Sequence, residues 1–252
     1  VGNWESSAEN LRVATQDGVV CISQIGANCM YYEQDTPPYY GVEVRNGTTY
    51  IWDDGVIKAF NKEGVQTGTT IVPGGLTCIN FVVIGDGRFA LLRNMADEVV
   101  FIRDSEIIQT VKILEEPDSE AQNLDGVVVG NRLIISEDGH NHVLSIDLQT
   151  YELSLFKDLS GWPGWIGAIE YSNGSYYIAT FDEVILVFQE GGDAEPLVTL
   201  PEENLTGIVV FNNYAFVTVN FADMIYKVNI QTGSYDTFAT GLNYPTDIEL
   251  IQ

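Results

Sequence analysis

The sequence predicts an all-β protein, a six-bladed β-propeller built from four-stranded antiparallel blades. Three observations predict it. One strand-turn-strand phrase recurs six times, successive copies begin about 40 residues apart, and the copy that opens at the C-terminus lacks partner strands that stand instead near the N-terminus.

Each repeat opens with an apolar strand, and the six openings are "GVEVRNG" from Gly41, "NFVVIGDG" from Asn80, "DGVVVGN" from Asp125, "GAIEYSNG" from Gly167, "GIVVFNN" from Gly207 and "DIELIQ" from Asp247. Five of them run through a tight turn into a second strand, an acidic loop and a third strand. These passages are "TYIWDDGVIKAFN" from Thr49, "ALLRNMADEVVFIR" from Ala90, "LIISEDGHNHVLSID" from Leu133, "YIATFDEVILVFQ" from Tyr177 and "FVTVNFADMIYKVN" from Phe216. The sixth such passage, "RVATQDGVVCIS" from Arg12, has no opening strand of its own. The turn residues Asn46-Gly47, Gly130-Asn131, Asn173-Gly174 and Asn212-Asn213 tolerate the positive φ that tight hairpins demand. The turns after the third strand, at Asn61, Asp147 and Asn229, show the same preference. No sustained 3.6-residue apolar period with capping residues occurs, so little helix is expected.

A blade cannot bury both faces of its sheet alone, so neighbouring blades must pack face to face around an axis. The C-terminal strand then completes the blade begun by the N-terminal strands and closes the ring. The expected organisation is one domain over residues 1–252, with blades at about 9–32 plus 246–252, 40–72, 78–114, 124–158, 166–200 and 206–240.

Eleven basic residues against 36 acidic ones give a net charge of −25, which repels nucleic acid and keeps an exported protein soluble. No apolar run reaches the roughly 18 residues of a membrane span. The chain begins at Val1, as a processed product would, and a secreted or cell-surface location is expected. Of three cysteines, Cys21 and Cys29 are close enough to bridge adjacent strands of a hairpin, leaving Cys78 as a free thiol. Asn46, Asn173 and Asn204 head glycosylation sequons, which matter only in a eukaryotic secretory pathway.

The passage from Ser136, with Asp138, Asn141, His142, Leu144 and Asp147, resembles the NHL repeat, although Val143 stands where that repeat has a basic residue. In NHL repeats the Asn-His pair is structural, so metal binding by His140 and His142 is disfavoured. The blade count and loop-borne acids are also similar to the senescence-marker-protein/gluconolactonase and strictosidine-synthase-like propellers. That resemblance implies a metal in the central channel, calcium or zinc, and hydrolysis of lactones or esters. The opening Glu-Gly-Pro pattern of those enzymes is missing here.

Aligning the innermost strands brings Gly41, Asn80, Asp125, Gly167, Gly207 and Asp247 to one level of the channel. Asn80, Asp125 and Asp247 are candidate ligands for calcium, with the glycines leaving room for water or ligand; a bound metal would polarise a carbonyl and activate water. The plainer reading of the same three residues is that each caps a neighbouring strand or binds channel water, as buried polar groups usually do. No phosphate loop, CxxC pair, nucleophile elbow or HExxH motif occurs.

The loops that lead into the innermost strands gather on one face and carry Tyr39, Tyr40, Trp162, Trp165 and Tyr244 beside Pro and Gly. Tyr39, Trp162, Trp165 and Tyr244 form a candidate surface for a protein or carbohydrate partner, while Tyr40 and Trp165, which adjoin strands, are also candidates for plugs that pack loop against blade. The leading expectation is a non-catalytic extracellular propeller that binds a partner protein or glycan or serves as a scaffold domain of a larger assembly. The alternative is a calcium-dependent lactonase or esterase.

Overall fold

The computed structural model describes residues 11–16, 18–22, 28–33, 41–53, 55–76, 80–93, 96–113 and 124–251. The first blade is made of β1 (Leu11–Thr15), β2 (Gly18–Ile22) and β3 (Asn28–Glu33). The second comprises β4 (Val42–Arg45), β5 (Thr48–Asp53), β6 (Val56–Phe60) and β7 (Gln66–Ile71), and the third β8 (Asn80–Gly85), β9 (Arg88–Arg93), β10 (Glu98–Arg103) and β11 (Glu106–Lys112). The fourth holds β12 (Leu124–Val129), β13 (Arg132–Glu137), β14 (His142–Asp147) and β15 (Leu153–Asp158). The fifth runs through β16 (Ile166–Ser172), β17 (Ser175–Thr180), β18 (Val184–Gln189) and β19 (Glu195–Thr199), and the sixth through β20 (Leu205–Phe211), β21 (Tyr214–Val219), β22 (Met224–Asn229) and β23 (Tyr235–Thr240). The last strand, β24 (Asp247–Leu250), pairs with β1 and becomes the innermost strand of the first blade. The architecture is therefore six antiparallel four-stranded sheets in a ring with a composite closing blade. A 3-10 turn stands at Pro73–Gly75, after the outermost strand of the second blade.

The core lies between blades, because alternate residues of one strand face opposite neighbours. In β13, Leu133 and Ile135 pack against the third blade with Val82, Leu92 and Phe101, whereas Ile134 packs against the fifth with Ile166, Tyr176 and Ile178. At the seam, Val13 and Ile248 join Val209 and Phe216 on one side, while Ala14 and Val19 join Val42 and Ile51 on the other. Each blade thus needs both neighbours to bury its faces.

Turn chemistry follows the sequence. Asn46, Asn173 and Asn212 adopt φ of 52, 50 and 54° at hairpin tips. Asp147 Oδ1 accepts the N–H groups of Gln149 and Thr150 at 2.8 and 2.9 Å, and Asn229 Oδ1 accepts those of Gln231 and Thr232 at 2.9 and 3.1 Å. In the first blade the register sets Cys21 opposite Cys29 on β2 and β3. Cys78 lies outside the described residues.

A second periodic device stands where the second strand of a blade turns into the third. Gly55, Asp97, Asn141, Glu183 and Asp223 all have positive φ there. Their carbonyls accept the N–H groups of Val72, Ile113, Leu159, Leu200 and Leu242, each at 2.8 to 3.0 Å. All five partners are buried aliphatic residues at the exit of the outermost strand, so each turn pins the chain as it leaves for the next blade.

Candidate functional site

Loops from the outermost strands and turns between second and third strands share one face of the ring, here the loop face. In the fourth blade Asn141 joins the two kinds of segment: its Nδ2 donates to Gly164 O at 2.7 Å and its Oδ1 accepts Ile166 N–H at 3.0 Å. Asp223 does the same in the sixth blade, accepting Tyr244 N–H at 2.8 Å. Asn141 of the NHL-like passage is therefore a staple between blades. Val143 is buried in the interblade core, where a basic side chain would have no place. His140 and His142 stack at 5.7 Å, with Glu137 and Asp158 beside them at 3.6 and 3.8 Å.

The innermost strands enclose a cavity of about 540 Å³ along the axis. Its wall carries five carboxyl groups, those of Glu43, Asp125, Glu170, Asp247 and Glu249, together with Arg45. The other lining side chains named here, Val82, Val127, Ile169, Ile208 and Val210, are aliphatic. Burial deep in the ring and mutual repulsion push the acids toward their neutral forms. Asp247 is raised to about 6, chiefly by burial, and Asp125 to about 7 by burial and by Asp247. Glu170 is raised to about 8 by burial and by Asp125. Glu43 and Glu249 are raised well above the ordinary carboxylate range, again by burial first and then by the other acids, with Arg45 partly offsetting the effect at Glu43.

Asn80, Asp125 and Asp247 lie at the starts of three innermost strands and link blades. Asn80 Nδ2 donates to Asp125 Oδ1 at 2.7 Å, and Asp125 Oδ2 accepts Ile169 N–H of the next blade at 2.8 Å. Asp247 Oδ2 accepts Val42 N–H at 2.9 Å, and its Oδ1 accepts Ile248 N–H at 2.8 Å. Asn80 Oδ1 accepts Phe81 N–H at 2.8 Å. Every side-chain oxygen of the three is thus already engaged by an N–H group. Among the described residues no three His, Cys, Asp or Glu side chains are placed to hold a metal ion. The donor set does not fit a preformed calcium site.

The glycines of this level do not leave room for a ligand. A Cβ on Gly41 would overlap the Asn80 side-chain oxygen, and one on Gly207 would come within 2.9 Å of Asp247 Cα. On Gly167 it would meet Leu205 O at 3.2 Å. Glycine here lets neighbouring blades approach.

Glu43 and Glu249 sit two residues beyond the aligned level, on the same side of their strands, and strand alternation was the signal that would have found them. Glu170 is three residues beyond Gly167, because β16 shifts register between Ile166 and Ile169. That bulge hides it from any alignment by count.

On the loop face Trp165 is 61% exposed, although its place beside a strand had suggested a plug. Trp162 packs instead, half-buried against the core between the fourth and fifth blades, and its backbone N–H donates to Leu159 O at 2.8 Å. Tyr244 meets Phe221 edge to face at 5.6 Å, and Phe221, absent from the sequence-based set, is 68% exposed. Tyr39 and Tyr40 lie outside the described residues. Asn46 and Asn173 are exposed at hairpin tips on the opposite face, whereas Asn204 is partly buried with φ 63°.

No family model matches the chain, and no curated protein matches it in sequence. Solved structures do match. A chain of a nidogen/laminin complex superposes with a TM-score of 0.80 over 97% of this chain and 98% of its own, at 9% identity. The ring is a β-propeller shared with known structures. A putative 6-phosphogluconolactonase from Bacteroides fragilis superposes over the whole of both chains with a TM-score of 0.69 at 10% identity. Virginiamycin B lyase from Staphylococcus aureus covers 85% of this chain and 74% of its own, with a TM-score of 0.64 at 19% identity. One of these propellers is described in a protein complex and two by enzyme names, so the shared fold does not choose between binding and catalysis.

Proposed function

We propose that this chain is a non-catalytic binding propeller that engages a partner protein through its loop face, in a secreted or cell-surface setting. The observation that carries the reading is the pair of large aromatic side chains, Trp165 and Phe221, held in the open by hydrogen-bonded turns. Exposed aromatics on rigid backbone provide contact area with little ordering cost, which is why such residues dominate protein interfaces. The channel supports catalysis poorly. Asp125 and Asp247 are engaged by backbone N–H groups, and among the described residues no histidine or cysteine lines the cavity. That the fold also occurs in a chain solved with a protein partner agrees with the proposal.

A photoreactive residue placed at position 165 or 221, compared with one at exposed Glu152 outside the loop face, tests it. Adducts to one and the same protein from the two loop-face positions, with none from position 152, are expected. Equal labelling from both regions, or a lactonase activity abolished by Asp125→Asn, would overturn the reading.

A further inference from the structure

Two exposed aromatic residues of the loop face, Trp165 and Phe221, lie one blade apart, each with an acidic residue close by in the fold. The Asp182 carboxylate lies against Gly164, where even a Cβ would collide with it, so it stands at the residue immediately before Trp165. In the sixth blade Asp223 holds Tyr244 N–H at 2.8 Å, and Tyr244 supports Phe221. The two pairs are tied by a ladder of backbone bonds. Trp165 O accepts Phe181 N–H at 2.9 Å, Phe181 O accepts Asn204 N–H at 2.9 Å, and Asn204 O accepts Asn220 N–H at 3.1 Å. Asn220 Nδ2 then donates to Pro245 O at 3.2 Å, carrying the arc to the seam. Exposed Glu202 and Glu203 lie in the stretch between the two pairs.

The loop-face segments of the fourth to sixth blades, residues 137–142, 158–166, 180–184, 199–205, 219–224 and 240–247, contain no Lys or Arg. The two histidines there, His140 and His142, stand against Glu137 and Asp158 in the fourth blade, so no Lys or Arg of these segments neutralises Asp182, Glu202, Glu203 and Asp223, and the chain as a whole carries a net charge of −25. An aromatic face beside an uncompensated carboxylate is the arrangement that attracts an ammonium or guanidinium group, by the ring quadrupole and by charge together. We infer that the partner presents a basic segment to this arc, with Lys or Arg side chains lying over Trp165 and Phe221 and their charge met by Asp182, Glu202, Glu203 and Asp223. The inference rests on the loop-face reading above and adds the chemistry of the partner.

Selection of phage-displayed random peptides on the immobilised full chain tests it. The enriched peptides are expected to be rich in Lys or Arg and to bind more weakly as salt is raised. Their affinity should fall roughly ten-fold in Trp165→Ala and in the double variant Asp182→Asn/Asp223→Asn. It should be unchanged in Glu106→Gln, an exposed acid on the outer strand of the third blade. Neutral or acidic peptides that still require Trp165 would overturn this inference and leave the loop-face reading standing. Basic peptides weakened equally by Glu106→Gln would overturn it as diffuse charge attraction. Peptides indifferent to every loop-face substitution, Phe221→Ala included, would overturn both.

Discussion

Asn80 donates its side-chain amide to Asp125 across the boundary between the third and fourth blades, and Asp125 in turn accepts Ile169 N–H from the fifth. Three blades are joined through one carboxyl group. Removing it in Asp125→Ala strands two donors away from bulk water, which costs about 3 kcal/mol. Asp125→Asn keeps the shape and an acceptor, so it should lose less than half as much near neutral pH. Urea unfolding of the two variants measures the difference.

Stability should decline as pH rises from weakly acidic to weakly alkaline. In an unfolded chain the channel carboxyls titrate near 4, whereas in the ring Asp247, Asp125 and Glu170 titrate at about 6, 7 and 8, with Glu43 and Glu249 also raised. Between those limits the native state holds more protons than the unfolded one, so stability is greatest below the unfolded values and is lost as pH climbs through the folded ones. A loss of at least about 2 kcal/mol between pH 5 and pH 8 is expected from equilibrium unfolding. The double variant Glu43→Gln/Glu249→Gln should flatten the profile; an unaltered slope would show that these two acids titrate alike in the ring and in the unfolded chain.

Closure of the ring depends on β24, whose Ile248 is buried in the core between the sixth and first blades. Deleting residues 245–252 exposes that core and leaves β1 with one unpaired edge, so the cooperative thermal transition should drop sharply. A synthetic peptide of the same residues added in trans should restore part of it. A melting temperature unaffected by the deletion would refute the closing role.

The staple at Asn141 has two separable parts, a φ of 55° and two side-chain bonds. Asn141→Gly retains the backbone conformation and loses the bonds, at about 1 to 2 kcal/mol, while Asn141→Ala adds about 1 kcal/mol of conformational strain. Thermal denaturation of the two variants side by side should rank them in that order.

Gly41 and Gly47 have similar φ, 81 and 73°, but a Cβ at Gly41 meets Asn80 whereas one at Gly47 meets nothing within 4 Å. Alanine at Gly47 should cost about 1 kcal/mol for backbone strain, and alanine at Gly41 clearly more, since it also displaces the Asn80 side chain. Equal costs in chemical denaturation would mean that the approach of the blades at this level is looser than the geometry shows.

The ring itself was legible because its signals are local. Hairpin residues such as Asn46 and Asn173 and the alternation of β13 report directly on neighbouring residues. The composite blade was legible because Asp247 opens a repeat that no later residues complete. What alignment missed was set by packing or by a single irregularity. Glu170 escaped because one bulge in β16 breaks the count. The two tryptophans of the "GWPGWI" loop look alike in sequence, yet Trp162 turns into the core and Trp165 outward, where Asp182 of a later turn occupies the space beside Gly164. Phe221 carried no signal at all, since its exposure follows from which turns share a face.

The composite blade also orders events during synthesis. In the pairing of β1 with β24, Ala14 stands opposite Asp247, so β1 waits until synthesis has passed through the other five blades before its inner neighbour exists. Until then the N-terminal sheet presents an open edge and an uncovered apolar face, a state prone to pairing with other chains. Chaperone demand should therefore fall on the nascent N-terminal strands.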